Sequence, residues 1–486
     1  MSCSMFRTLP LLLVLGALAS AVFAKSPNVV VILVDDMGYG DVEAYNADSK
    51  IPTPNLDQLA HEGMMFTDAH AAGSLCHPSR YGLITGELPI RVDTSVWPRD
   101  PVIAADRMTI ASMLKAEGYH TAMVGKWHLG FKEEGYDKPL RGGPVDVGFE
   151  TYFGIRASTD IPPYFYIEGD RALVPPTGSI ETSEGDGHWA RIQGEFWREG
   201  GLAPNLDLVD VLPRLTDEAV GVIRDHARLE SEKPLFLYLA YPAPHTPWLP
   251  TPEFQSRTDN MYGDFTTMVD HMVGRVLEAL EHSGIKDETL VIFSSDNGPV
   301  WYDKDVEAFD HDAVGGLNGM KGDAYEGGHR MPFIVRWQGN VEAGSSSAQT
   351  ICFTDVMATL ADVSGAQLPA GQAPDSFSFR RALNGDSLPH TRARGPLLLR
   401  SARGYNALRI GKWKYIDQLG SGGFSGGRGD DYKKPNPGPG DPTAQLFDMA
   451  SDPGETTNLW SEYPDVFEVM AAELDRLQSE THTRPY

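Results

Sequence analysis

The order of apolar and polar positions divides most of the chain into strand-like and helix-like stretches that alternate. Asn28–Val34 is β-branched or apolar at almost every position, as in a strand buried on both faces of a parallel sheet. Thr121–Val124, Pro234–Ala240, Thr289–Ser294 and Met331–Trp337 read the same way. Between them the apolar spacing changes to three and four. Pro54–Glu62 puts Leu56, Leu59 and Ala60 on one side, with Thr53 as N-cap and Pro54 in the first helical position. Met108–Glu117, with Gly118 as its stop, Leu215–Leu229 and Met261–Ser283 are further helices. Strand and helix alternating in this way predict βα units. The expected fold class is α/β, a large, mostly parallel or mixed central sheet sandwiched by helices.

Three regions depart from that pattern. Residues 135–210 are rich in Gly, Pro and aromatics with weak periodicity, which predicts a long excursion that shapes a binding pocket. Beyond about residue 375 the elements shorten. Pro396–Arg400 and Leu408–Ile416 read as strands, 419–442 as a loop, and Pro464–Glu480 as a closing helix with Val466, Val469, Met470 and Leu474 inward. Arg428-Gly429-Asp430 lies in that loop and reads as a turn. The chain is thus expected to divide into a main domain, 25–375, and a smaller C-terminal α+β subdomain, 376–486, built from an antiparallel sheet and a helix. Residues 1–24 stand apart: Arg7, an apolar run from Leu9 to Phe23, and Ala24 at a small-residue cleavage site. The run is shorter than the ~20 residues of a membrane span, so it reads as a secretory signal peptide. No other stretch is long and apolar enough to cross a bilayer.

Composition refines the address. With 41% hydrophobic and 22% charged residues over 486 positions, the chain is globular and too long for one core. Cys3 leaves with the signal peptide, so only Cys76 and Cys352 remain. That excludes a disulfide framework, although a Cys76–Cys352 bridge is a competing reading. Without any Asn-x-Ser/Thr sequon, an exported, periplasmic or secreted bacterial protein is expected. The formal net charge of −26 argues against nucleic acid or an anionic membrane as partner. A bound anion would need a local basic site.

Candidate chemistry sits where strands end. Asp35-Asp36 meets a glycine-rich turn after the first strand, and Asp296-Asn297-Gly298 closes a later one. Open α/β sheets collect their chemistry at the carboxyl ends of strands, and such oxygen groups suit a hard divalent cation. Each pair taken singly is more often just a turn, and only the two together with the stretch that follows reverse that reading. The stretch Cys76-His77-Pro78-Ser79-Arg80-Tyr81-Gly82-Leu83-Ile84-Thr85-Gly86 belongs in a loop entering a helix. A thiol near a guanidinium reads as an activated thiolate or as a buried structural cysteine.

The pattern C-x-P-S-R-x-x-L-x-T-G resembles the signature of the type I, formylglycine-dependent sulfatases of the alkaline phosphatase-like superfamily. The resemblance covers most of residues 28–340 and implies a sulfuric ester hydrolase. It implies that a formylglycine-generating maturation enzyme oxidises Cys76. It also implies one calcium ion held by Asp35, Asp36, Asp296, Asn297 and the modified Cys76. Arg80 matches the arginine that steadies the hydrated aldehyde, and Lys126 and His128, in Gly-Lys-Trp-His, match the cation and imidazole beside it. His245, in Pro-His-Thr-Pro, and Lys321, in Met-Lys-Gly, match the groups that grip sulfate and assist the leaving oxygen.

Ile161–Glu168, aromatic and Pro-rich, resembles segments of carbohydrate sulfatases, which implies a sulfated carbohydrate substrate of galactan or glycosaminoglycan type. A broad arylsulfatase is the near alternative. A phosphoester or phosphonate hydrolase of the same superfamily is a second, and a non-catalytic glycan-binding protein a third. Asp160, Tyr164 and Tyr166, with Asp303, His311 and Asp312 in the polar loop after Asn297, are candidate sugar contacts.

Overall fold

All eight residues of the strand Asn28–Asp35 are buried, and the fold is laid out on either side of it. The computed structural model describes residues 26–97, 100–185, 187–190, 192–229, 232–386, 394–425 and 442–484. Asn28–Asp35 pairs in parallel with Leu235–Pro244 on one side and Thr289–Ser295 on the other, and both neighbours are buried throughout. Apolar side chains on both faces leave no face for water, so such strands occupy the middle of the sheet.

The full sheet has ten strands. Their order is Ser345–Ser347, Met64–Phe66, Phe333–Arg336, Thr289–Ser295, Asn28–Asp35, Leu235–Pro244, His120–Lys126, Thr151–Ile155, Tyr166–Glu168 and Arg171–Ala172. The five from Thr289–Ser295 to Thr151–Ile155 run parallel, and antiparallel pairs flank them. Parallel strands release their carboxyl ends at one edge. Asp35, Lys126, Pro244 and Ser295 therefore end side by side, with Asp35 in register with Pro244 and Val34 with Ser295.

Helices Pro54–Glu62, Val211–Arg228 and Met261–His282 pack on one another, and Cys76–Thr85, Ile110–Ala116 and Asp355–Ser364 form a second group. Thr53 takes the N-cap position of the first helix without a capping bond. Its hydroxyl donates instead to Asp57. The excursion at 135–210 contains short strands, including two two-stranded ladders, Gly178–Ile180 with Gly200–Leu202 and Ser183–Glu184 with Phe196–Trp197. Strands of two or three residues are too short to print an alternation on the sequence.

The C-terminal part is a four-stranded antiparallel sheet, Leu397–Arg400, Asn406–Ile410, Trp413–Ile416 and Gln445–Asp448, followed by the helix Pro464–Ser479. Two expectations need correction. Leu408–Ile416 is a hairpin and not one strand, because Gly411, at φ 57°, turns the chain between Ile410 and Trp413. In the closing helix Met470, Leu474 and Leu477 are buried, whereas Val469 is 66% exposed. The inward stripe follows steps of four and three, and Val469 sits one residue, about 100°, off it. The expected signal peptide and Arg428-Gly429-Asp430 lie outside the described residues. Among those residues no helix is long and apolar enough to cross a membrane.

A buried charge cluster fastens the small sheet to the large one. Lys414 Nζ lies 2.9 Å from Glu326 Oε1 and 2.7 Å from Glu455 Oε1, with all three side chains buried, while Arg409 reaches Asp68 at 3.4 Å. Removing one partner from such a cluster leaves uncompensated buried charge. Lys414→Met is therefore expected to destabilise the protein by about 3 kcal/mol, read as a lower midpoint in urea unfolding. A change within experimental scatter would mean that the cluster contributes nothing to docking.

Candidate active site

Four strand ends, one helix and the loop that carries Lys321 build the site. Cys76 is the first residue of the helix Cys76–Thr85 and is 4% exposed. Gly86 closes that helix in the left-handed region at φ 65°, its N–H donating to Gly82 O. This explains the Gly that ends the Leu-x-Thr-Gly run. One turn after Cys76, Arg80 shares its helix face. Arg80 Nε donates to Asp296 Oδ2 at 2.8 Å, Nη2 lies 2.7 Å from the same oxygen, and Nη1 donates to Lys126 O at 3.1 Å. The cysteine's helix is thereby tied to two different strand ends.

Around Cys76 the expected residues converge. Its Sγ donates to Asp35 Oδ1 at 3.4 Å. Lys126 Nζ pairs with Asp35 Oδ2, and Lys321 Nζ donates to Asp36 Oδ1 and Oδ2 at 2.6 and 2.7 Å. Asn297 Nδ2 donates to Asp36 Oδ1 at 2.6 Å. His245 Nε2 stands 3.6 Å from Asp36 Oδ2. His128 is buried beside this group, its ring edge-on to Trp97 with centroids 4.4 Å apart and 5.6 Å from the ring of His77. Asp36 and His128 both hold positive φ, 65° and 61°, a conformation that costs a side-chain-bearing residue about 1 kcal/mol or more and gathers at functional sites.

Charge governs the protonation states. Burial alone would raise the Asp35 carboxyl, but Lys126, His245, Arg80 and Lys321 together hold it well below the usual carboxylate range. Asp296 is pushed up to about 7 by burial and then by the charge of Asp35. Burial followed by Asp35 drives the Cys76 thiol well up. His128 is held far below its ordinary value by burial and then by Lys126, so its imidazole is neutral. Lys321 loses solvation, yet Asp36 more than offsets this and keeps it charged.

The residues fit a divalent metal. Asp35, Asp36, Cys76 and His245 each present a ligand atom, all within 4.8 Å of one another. Asn297 Oδ1 is buried and accepts no hydrogen bond, which leaves a hard oxygen available where buried acceptors are normally satisfied. Carboxylates and an amide oxygen are the donor set of calcium or magnesium. Among the described residues Cys76 and Cys352 are free thiols, so the bridge between them does not form.

The expected sugar contacts separate into two kinds. Asp303 and Asp312 line a cleft of about 1000 Å³ beside Met320, the neighbour of Lys321. Asp303 begins a short helix, Asp303–Phe309, where a loop was expected. Tyr164 is buried with its hydroxyl donating to Arg198 O, Tyr166 is also buried, and Asp160 is buried against Arg198 with His245 Nδ1 3.9 Å away. His311 is bonded through Nε2 to Asp41 Oδ1 at 2.8 Å. Its ring supports the turn after Asp36. Asp41 was not singled out from the sequence, yet it also accepts from Gly38 N and from the Tyr262 hydroxyl. Its only sequence signal was a carboxylate inside a glycine-rich turn.

A family model described as Sulfatase matches residues 27–366. The chain belongs to the sulfatase family. This membership makes it a sulfuric ester hydrolase. It is similar to the N-acetylgalactosamine-6-O-sulfatase of Bacteroides thetaiotaomicron, with 30% identity over 94% of each chain. It is also similar to human arylsulfatase A, with 32% identity over 93% of this chain and 86% of that one. A solved structure from work on glycosaminoglycan metabolism by Bacteroides thetaiotaomicron superposes with a TM-score of 0.81 at 29% identity, covering 94% of this chain and all of that one.

In the unmodified chain the Cys76 thiol is buried and its thiolate disfavoured, so it is expected to react slowly. At pH 8 the folded chain should take up iodoacetamide at Cys76 at least 100-fold more slowly than the urea-unfolded chain, read by peptide mass spectrometry. Equal rates would contradict the buried placement.

Proposed function

We propose that the protein cleaves sulfate from a sulfated carbohydrate of galactan or glycosaminoglycan type, using formylglycine made from Cys76 by a maturation enzyme and one calcium ion. The observation that carries this reading is the convergence of Asp35, Asp36, Asp296 and Asn297, from two strand ends, on the Cys76 thiol with Arg80, Lys126 and Lys321 around them. The named relative that acts on sulfated N-acetylgalactosamine supports the sugar.

Asp35, Asp36, Asp296, Asn297 and residue 76 would hold the ion, which would supply a Lewis acid for the sulfate oxygens. Formylglycine would supply, once hydrated, a nucleophilic hydroxyl and a second hydroxyl through which it is regenerated. The chain's own side chains do the rest. Three carboxylates face three fixed cations, so a bound divalent ion leaves the pocket positive toward a sulfate ester despite the acidity of the whole protein. Lys126 and Lys321 hold the non-bridging oxygens as charge develops. Arg80, anchored on Asp296, fixes the helix that carries residue 76. His245 or Lys321 gives a proton to the departing alcohol oxygen. His128, neutral and with Nδ1 free of any hydrogen bond, takes the proton from the second hydroxyl.

Export follows from the apolar run before residue 25, and we place the protein in the periplasm or outside the cell. Residues 25–375 then form the catalytic domain and 376–486 the subdomain that borders it. Broad arylsulfatase activity is the second reading, favoured by the 32% identity to arylsulfatase A.

Matured protein should hydrolyse members of a panel of sulfated oligosaccharides. The residue-76 peptide should carry the lighter mass of formylglycine. Cys76→Ala and Lys126→Ala should each lower kcat by about 100-fold or more. A chelator should abolish turnover and calcium restore it. A large preference for aryl phosphate over aryl sulfate, or an unoxidised residue 76 in fully active protein, would reverse the assignment.

A further inference from the structure

A second cleft, of about 480 Å³, opens beside the residues that flank Cys76, a volume typical of small-ligand sites. Its lining brings together Leu75, His77 and Pro78 with Arg400 and Arg403 of the C-terminal part. Both arginines are exposed. Their loop is held against the site by hydrogen bonds at both ends of the reaction centre. Ser74 Oγ donates to Arg400 O at 3.2 Å, Ala402 N donates to Gly322 O at 2.8 Å, and Gly322 N donates to Ser74 O at 2.8 Å. The segment before Cys76, the segment after Lys321 and the arginine loop thus form one connected unit. Gly404, at φ 83°, turns that loop, and a Cβ there would lie 3.3 Å from Arg400 Nη2.

The chemistry of the lining is specific. His77 is stacked on Trp97 with centroids 5.7 Å apart, so it offers a flat ring face to the cleft. The carboxylate in the lining, Asp93, is committed to Ser95 N and Oγ. Two guanidinium groups line this one cleft of a protein whose net charge is −26. Their planar forks match carboxylate and sulfate oxygens.

We propose that this cleft binds the sugar next to the sulfated one and that Arg400 and Arg403 select a ring bearing a second anion, a carboxylate or another sulfate. The inference rests on the carbohydrate reading above and adds to it a position and a charge. Both arginines act by positioning and touch no reacting atom.

The experiment compares wild type with Arg400→Gln, Arg403→Gln and the double variant on four substrates. These are an aryl sulfate and three sulfated disaccharides, whose neighbouring ring is neutral, a uronate or sulfated. The double variant should lose about 10-fold or more in kcat/KM on one or both anionic disaccharides, through KM. It should stay within about two-fold of wild type on the aryl sulfate and the neutral disaccharide. The arm that shows the loss identifies the anion. Equal loss on all four substrates, or none on the anionic pair, would overturn the subsite while leaving the carbohydrate reading intact. Turnover of aryl sulfate by wild type with none of any disaccharide would remove both.

Discussion

Three buried carboxylates cannot share one sheet edge without counter-charge, and that constraint organises the centre of this molecule. Parallel strands deliver Asp35, Asp36 and Asp296 to the same place. Arg80, Lys126 and Lys321 arrive from a helix, a third strand and a distant loop to meet them. Each cation sits on a different carboxylate, so the arrangement is a lattice of ion pairs and not one pair with bystanders. Burial strengthens every term in such a lattice, favourable and unfavourable alike. How that balance is struck decides which further charge the pocket can take up.

The legibility of the sequence followed the same physics. Strands buried on both faces print a continuous apolar run, so the central strands and their acidic ends could be read directly. The cysteine stretch carried enough fixed positions for the family to be recognised. Other features were silent. The helix Asp355–Ser364 was not read, and the hairpin at Gly411 hid inside what looked like one strand. His311 looked like a polar loop residue because sequence says nothing about its bond to Asp41, 270 positions away. Arg400 and Arg403 carried no local pattern at all. Their placement depends on hydrogen bonds from Ala402 N to Gly322 O and from the Ser74 hydroxyl to Arg400 O, which no periodicity encodes.

Overall charge and local charge serve different ends here. The net charge of −26 sets the sign of the field at long range. The buried cations beside Cys76 act over a few ångströms, where solvent screening is weakest. A chain can therefore be strongly acidic and still receive an anion.

The near-complete enclosure of Cys76 sets an order of events. At 4% exposure, and hemmed in by Asp35, Lys126 and the first turn of its own helix, the sulfur offers no purchase to another macromolecule once the domain has closed. Any protein that oxidises it must meet the chain while the segment around it is still extended. A molecule that folds first is shut out of that pathway for good.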